Sequence, residues 1–269
     1  MSAEDVDSRG ILYPARLPTF HRVPAPPVLS DRVRWFWIPE WDLAPGRTSR
    51  QEILPFPASN LVVQSDGVTV AGPCTRRSHR DLIGSGWAVG ALLRPAAVPT
   101  VLPDPGLVRD QEIAWPAPDL HRAVVGAMAD RGATPAERRA TAVAAYVAWL
   151  LDHLPPVDDD GELANAMEDV VAGDRAVVRV EQVAAALGVS TRTLQRLARR
   201  HVGLPPLAMI RRHRLQEAAH RLREEPGLGL ARVAAELGYA DQAHLARDFR
   251  TVLGLRPGAY RSEVTLPEP

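Results

Sequence analysis

Apolar positions change their spacing along the chain. Up to about residue 117 they fall in short runs separated by Pro and Gly. "VRWFWI", "NLVVQSDGVTVAG" and "WAVGALL" read as strands, the second as a hairpin turning at Ser65-Asp66-Gly67. Gly84 and Gly86 fit tight turns or a close backbone approach. From Asp119 the apolar period becomes helical. "DLHRAVVGAMADR" predicts one helix and "TPAERRATAVAAYVAWLLDHL" another. Thr134 caps the second, with Pro135 and Glu137 in its first turn. Its stripe of Val143, Tyr146, Val147, Leu150 and Leu151 is wide enough for a core or a partner. Pro155-Pro156 stops it. "VDDDGE" reads as a solvated turn, and a short helix follows near Glu162 to Ala172.

Beyond that point the chain repeats itself. "VAAALGVSTRTLQRLARRHVG" begins at Val183, and "VAAELGYADQAHLARDFRTVLG" begins at Val233. Each copy predicts a short helix, a turn with Gly, and a second helix ending at Gly, the order of a helix-turn-helix unit. At 100° per residue, Leu194, Leu197, Ala198 and His201 share one arc. Thr191, Arg192, Gln195, Arg196 and Arg199 share the opposite one. Ser190 is placed to cap this helix. Arg can bridge guanine O6 and N7, and Gln can bridge adenine N6 and N7, in a major groove wide enough for a helix. Arg200 lies towards the flank, where a backbone phosphate is the expected partner. In the second copy Leu245, Phe249 and Val252 face inward, Ala243, Ala246, Arg247 and Arg250 face outward, and His244 sits at the edge. Asp241 is placed to cap. Between the copies, Leu207, Ile210, Leu215, Ala218, Ala219 and Leu222 form the apolar face of a linker helix, opened by Pro205-Pro206 and ended by Pro226-Gly227. From Leu207 to Glu225 it would span ~28 Å. Successive major grooves on one face of DNA lie ~34–36 Å apart. The duplication therefore suits one polypeptide reading two adjacent groove segments.

Charge supports a polyanionic partner. The formal net charge is +0. Yet residues 175–261 hold sixteen arginines against seven acidic residues, so the remainder carries the matching acidic excess. A basic third beside an acidic remainder is expected where only that third meets nucleic acid.

These residues resemble the AraC/XylS family of bacterial transcription regulators. The resemblance covers Val180 to Arg261 and is carried by "VAAALGVSTRTLQR", "RHRLQEAAHRL" and "VAAELGYADQAHLARDFRTVLGLRPGAYR". Gly254, Pro257, Tyr260 and Arg261 form its most characteristic ending. The resemblance implies base-reading positions at Arg192, Gln195 and Arg196, and in the second unit at Gln242, Ala243, His244 and Arg247. The chain departs from the family where Ala198 replaces an aromatic residue, where Leu245 stands for a frequent Phe, and at Leu204-Pro205-Pro206. "LPFPASNLVVQ", "VAGPCTRRSH" and "VGALLRPAAVPTVL" resemble a β-rich domain that precedes the DNA-binding unit in some members. That implies sensing or dimerisation.

Other candidates carry less. Trp35, Trp37 and Trp41 could line a ligand pocket or fill a β core. Cys74 is the single cysteine. Arg76, Arg77 and His79 beside it would favour a reactive thiol, against the commoner inert one. His21, His79 and His121 lack metal-ligand spacing, and the motifs of phosphate-binding loops and hydrolases are missing. The polar start MSAEDVDSRG does not read as a signal peptide, and no apolar run reaches the ~20 residues of a membrane span.

The expected fold is α+β: a β-rich sensor-like domain (1–117), a helical connector suited to dimerisation (118–173), and an all-α DNA-binding domain (174–264). The expected function is cytoplasmic, sequence-specific transcription regulation. Double-stranded DNA is the partner, with RNA polymerase added if the chain activates, and with room for a small-molecule effector and a homodimer. No cofactor, metal or membrane is expected. The rivals are an enzymatic N-terminal domain and a nonspecific architectural DNA-binding protein.

Overall fold

The computed structural model describes residues 19–54, 56–225 and 227–265. The predicted start of the chain and Pro226 lie outside these residues.

The strands are β1 (Thr19–Pro24), β2 (Val33–Asp42), β3 (Thr48–Ile53), β4 (Asn60–Gln64), β5 (Gly67–Ala71), β6 (Ser78–Ile83) and β7 (Ser85–Leu93). The short helix α1 (Val98–Val101) precedes β8 (Glu112–Ala114). A six-stranded antiparallel sheet runs β1-β2-β7-β4-β5-β8, and β3 pairs with β6 separately. The β4–β5 register pairs Gln64 with Gly67, so the hairpin turns where the sequence places it.

Helices α2 (Pro118–Ala129) and α3 (Pro135–His153) lie against this sheet. Thr134 and Glu137 form the reciprocal cap of α3, a device worth about 1 kcal/mol. The α3 stripe is spent in the core. Val143, Tyr146 and Leu150 are buried with Phe36, Leu61 and Val89. The Tyr146 hydroxyl donates to the Leu61 carbonyl at 2.7 Å. Only Leu151 of the stripe stays open to solvent.

Helix α4 (Asp159–Gly173) starts three residues before the predicted Glu162. The acidic run expected as a free turn is its first turn, because Asp158 caps it by accepting from Gly161 N at 2.7 Å. Carboxylates are favoured at that end by the unpaired amides and the helix dipole. The remaining helices are α5 (Val180–Ala186), α6 (Thr191–His201), α7 (Pro206–Glu224), α8 (Leu230–Glu236), α9 (Gln242–Leu253) and α10 (Pro257–Thr265).

Two helical cores result. Met167 and Val171 of α4 pack with Val183, Leu194, Ala198 and Met209. The far half of α7 packs with α8, α9 and Tyr260, and Leu54 from the end of β3 joins that second core. The α7 apolar face differs from its prediction at one position. Leu207 is exposed, and Met209 takes the buried place instead.

Candidate nucleic-acid interface

Each unit is built the same way. Gly188 and Gly238 have φ of +65° and +67°, a left-handed conformation that glycine adopts without strain. This turns α5 into α6 and α8 into α9. Ser190 Oγ accepts from Thr193 N at 3.1 Å, and Asp241 accepts from His244 N at 2.6 Å. Both predicted caps are in place.

In α6, Leu194, Leu197, Ala198 and His201 are buried, as their phase predicts. Ser190, Thr191, Arg192, Gln195, Arg196, Arg199 and Arg200 are exposed. Arg199 and Arg200 close the helix, where positive charge suits the dipole. In α9, Leu245 and Phe249 are buried. Val252, predicted inward, is half-buried, and Leu253 completes the apolar face in its place. Gln242, Ala243, Arg247 and Arg250 are exposed. His244 is half-buried, its ring edge-on to Tyr239 at 5.2 Å between centroids. Arg214 lies over the other partner ring, 3.8 Å from the centre of Tyr239.

Residues 183–263 match a helix-turn-helix domain family, and residues 21–113 match a domain of unknown function, DUF6597. An uncharacterised helix-turn-helix-type transcriptional regulator of Haemophilus influenzae is 33% identical over 107 residues, 40% of this chain and 36% of that protein. The transcriptional activator RhaS of Escherichia fergusonii is 35% identical over 115 residues, 43% of this chain and 34% of that one. The helix-turn-helix part of the chain is thus similar to that of AraC-like regulators. The chain spans between a quarter and two fifths of the length of the curated relatives it matches. Among solved structures, ToxT from Vibrio cholerae with an unsaturated fatty acid bound aligns over 87% of this chain and 98% of its own, at 12% identity and a TM-score of 0.46.

The helix-turn-helix domain here is not free of the rest of the chain. The ring of His201 is buried, with Nδ1 3.0 Å from the Pro95 carbonyl. Burial is the main cause that holds its pKa below the usual value. Asn165 of α4 donates to Asp31 O at 2.6 Å and accepts from Ala96 N at 3.0 Å. Arg34 and Arg94 meet buried Glu168 and its neighbour Asp169, with Arg94 Nη2 2.6 Å from Asp169 Oδ2. Burial pushes the Glu168 carboxyl up despite these arginines. On the second unit, the amide of Arg77 donates to Val252 O at 2.9 Å. Arg212 of α7 donates to the carbonyls of Cys74 and Thr75.

Sequence reading did not find these docking residues. Each belongs to a pair separated by 69 or more positions, and neither partner has an unusual local context. It also missed Asp160. Its carboxylate takes both terminal nitrogens of Arg196, at 2.6 and 2.9 Å. That guanidinium holds the Asp160 carboxyl below the usual range.

The aromatic candidates separate. Trp35 lines a cavity of about 180 Å³ with Phe56, His213 and Arg214. Arg22 stacks 4.3 Å above its ring. Trp37 does not line that cavity; its ring covers Gly90 and its Nε1 donates to Asn60 Oδ1 at 2.9 Å. Trp41 covers Gly86 and donates to Ile83 O. The three therefore do not share this cavity, and Trp37 and Trp41 lie over glycines of β7 instead. Burial, then Asp110, pushes the Cys74 thiol up, and Arg212 opposes this without reversing it. Arg77 is paired with Glu52 at 3.1 Å, so the charge expected to activate the thiol is partly engaged elsewhere. Among the described residues no group of His, Cys, Asp and Glu is placed to hold a metal, and no helix is long and apolar enough to cross a membrane.

Proposed function

We propose that this chain is a sequence-specific transcription regulator that reads two successive major-groove segments of double-stranded DNA. The observation that carries this is the split face of each reading helix. In α6 the apolar side is fully buried, while Arg192, Gln195, Arg196 and Arg199 are open to solvent. In α9, Gln242, Ala243 and Arg247 are open in the same way. The first unit carries the longer donors and therefore most of the direct readout. The second adds Arg247 and Arg250 with short side chains that fit close to thymine methyls.

The DNA-binding unit starts at α4 in this reading, not at residue 174, because α4 completes the core beneath α6. Helices α2 and α3 belong with the sheet. The N-terminal part acts on DNA binding by holding both units, through Pro95 against His201 and through Arg77 against Val252. An effector input is favoured by the cavity beside Trp35, since its wall includes both the sheet and α7. Location in the cytoplasm, and RNA polymerase as partner for an activator, follow from the same role.

The test is selection of duplexes from a random pool by the full chain, followed by titration of a selected and a scrambled duplex. Affinity should differ by at least ~10³-fold and fall steeply with salt. Equal affinity for both duplexes would leave an architectural role in its place.

A further inference from the structure

We infer that Asp160 is a positioning residue for base readout, presenting one edge of Arg196 to the DNA groove. The inference rests on Arg196 being a base reader. Asp160 sits in the first turn of α4, a different helix from the one that reads. Its two oxygens take Nη1 and Nη2 of Arg196 at 2.6 and 2.9 Å. That is an end-on pairing. A guanidinium carries five N–H donors in a rigid plane. End-on pairing uses one hydrogen on each terminal nitrogen. It leaves Nε–H and the second Nη2–H side by side along the adjoining edge. Guanine presents O6 and N7 at the spacing such an edge needs. The carboxylate and the base can therefore hold the same arginine together, one at its end and one at its side.

The surroundings fit this assignment. Arg196 and Asp160 are 47% and 32% exposed, so the pair stands at the surface where DNA would lie. Asp160 is itself fixed, because Asp158 caps its helix and α4 packs under α6. An arginine has four rotatable bonds, and freezing them on binding weakens recognition. Freezing them beforehand against a fixed carboxylate moves that cost into folding. The negative charge lowers affinity for all DNA by repelling phosphates, but equally for every sequence. The ratio of affinities between right and wrong bases is therefore what Asp160 raises. Arg200 Nη1 is 3.8 Å from the same carboxylate, an ion pair beyond hydrogen-bonding distance, and its donors are left for the backbone.

The experiment uses the full chain and a duplex it has selected, with every single base-pair variant of that duplex. Arg196→Ala locates the base pair it reads. Asp160→Ala should reduce discrimination at that same base pair by about five- to tenfold and leave other positions unchanged. Asp160→Asn, of equal shape with one acceptor, should fall between, and guards against a folding defect. The double variant Asp160→Ala with Arg196→Ala should discriminate no worse at that position than Arg196→Ala alone. Uniformly tighter binding with discrimination intact would make Asp160 only a repelling charge and overturn the inference. So would loss of discrimination at every position together with loss of helicity. A chain that selects no sequence fails the regulator reading first, and is told apart because Arg196→Ala then marks no base pair.

Discussion

Arg200 leaves α6 just past the arc that holds Arg192, Gln195, Arg196 and Arg199, and it is exposed. In the proposed pose a side chain there would meet the sugar-phosphate edge of the groove. Arg200→Ala should weaken binding about equally on selected and scrambled duplexes and lower the salt slope by roughly one unit. A salt titration on both duplexes checks this, and a change confined to the selected one would mean that α6 is rotated from the pose argued here. The next residue faces the other way. Burial keeps the pKa of His201 low, so the unfolded chain binds this proton more readily than the folded one. Stability is complete above the ordinary histidine pKa of about 6.5 and declines as pH falls through that value towards the lowered folded one. His21 shifts in the same direction, by burial and then by Arg139, with Glu40 opposing. Urea midpoints should therefore drop between about pH 7.5 and 5.5, and drop less in His201→Asn. An identical pH dependence in that variant would exclude His201 as a source.

Gly203 ends α6 with φ +77°, and a Cβ there would lie 2.7 Å from the Pro105 carbonyl carbon and 2.8 Å from Gly106 N. Gly203→Ala thus meets two penalties, a left-handed backbone costing roughly 1–2 kcal/mol and a clash with the N-terminal part. The first persists in an isolated helical fragment; the second exists only in the full chain. A larger loss of stability in the full chain than in residues 158–265, measured by urea unfolding, would show the element contact. A fragment from 175, lacking α4, should unfold at lower urea than one from 158, because Met167 and Val171 leave the core under α6. Helices of this kind were legible in the sequence, since α3, α6 and α9 have strong caps and a clear apolar arc. Strands β3 and β6 were not. "TSRQEI" and "SHRDLI" are mostly polar, each burying one residue, Gln51 and Leu82. They are held by backbone pairing and by the Arg50–Asp81 bridge across the pair, neither of which leaves a period in the sequence. The exposed basic face of α6 was legible for the same reason as its core. Its clasp by Asp160 was not, because a contact across 36 positions has no local signature.

Over the whole molecule, both helix-turn-helix units are tied to one N-terminal body as well as to each other through α7. Arg94 reaches Asn165 O, Asp169 and Glu168 on α4. Arg212 reaches Cys74 O and Thr75 O from α7. A linker helix alone can bend or pivot at its ends. Two further anchors, in the segments that follow β5 and β7, restrain the angle between α6 and α9. In the proposed reading that angle must match the helical repeat of DNA, since one added base pair turns a half-site by about 35°. Arg94→Ala alone should cost roughly 3 kcal/mol by leaving Glu168 buried with less compensation. The combined Arg94→Ala and Arg212→Ala variant should still bind the selected duplex, because the apolar face of α7 and the exposed faces of α6 and α9 are untouched. Its tolerance should change. The native chain should lose at least ~10-fold in affinity when one base pair is inserted between the two read segments, a loss of ~1.4 kcal/mol. The uncoupled variant should lose only a few-fold, since its units can follow the displaced groove. Anisotropy titrations on native and inserted duplexes measure both losses. Equal losses in the two proteins would mean that α7 sets the spacing unaided, and that the N-terminal anchors act on stability alone.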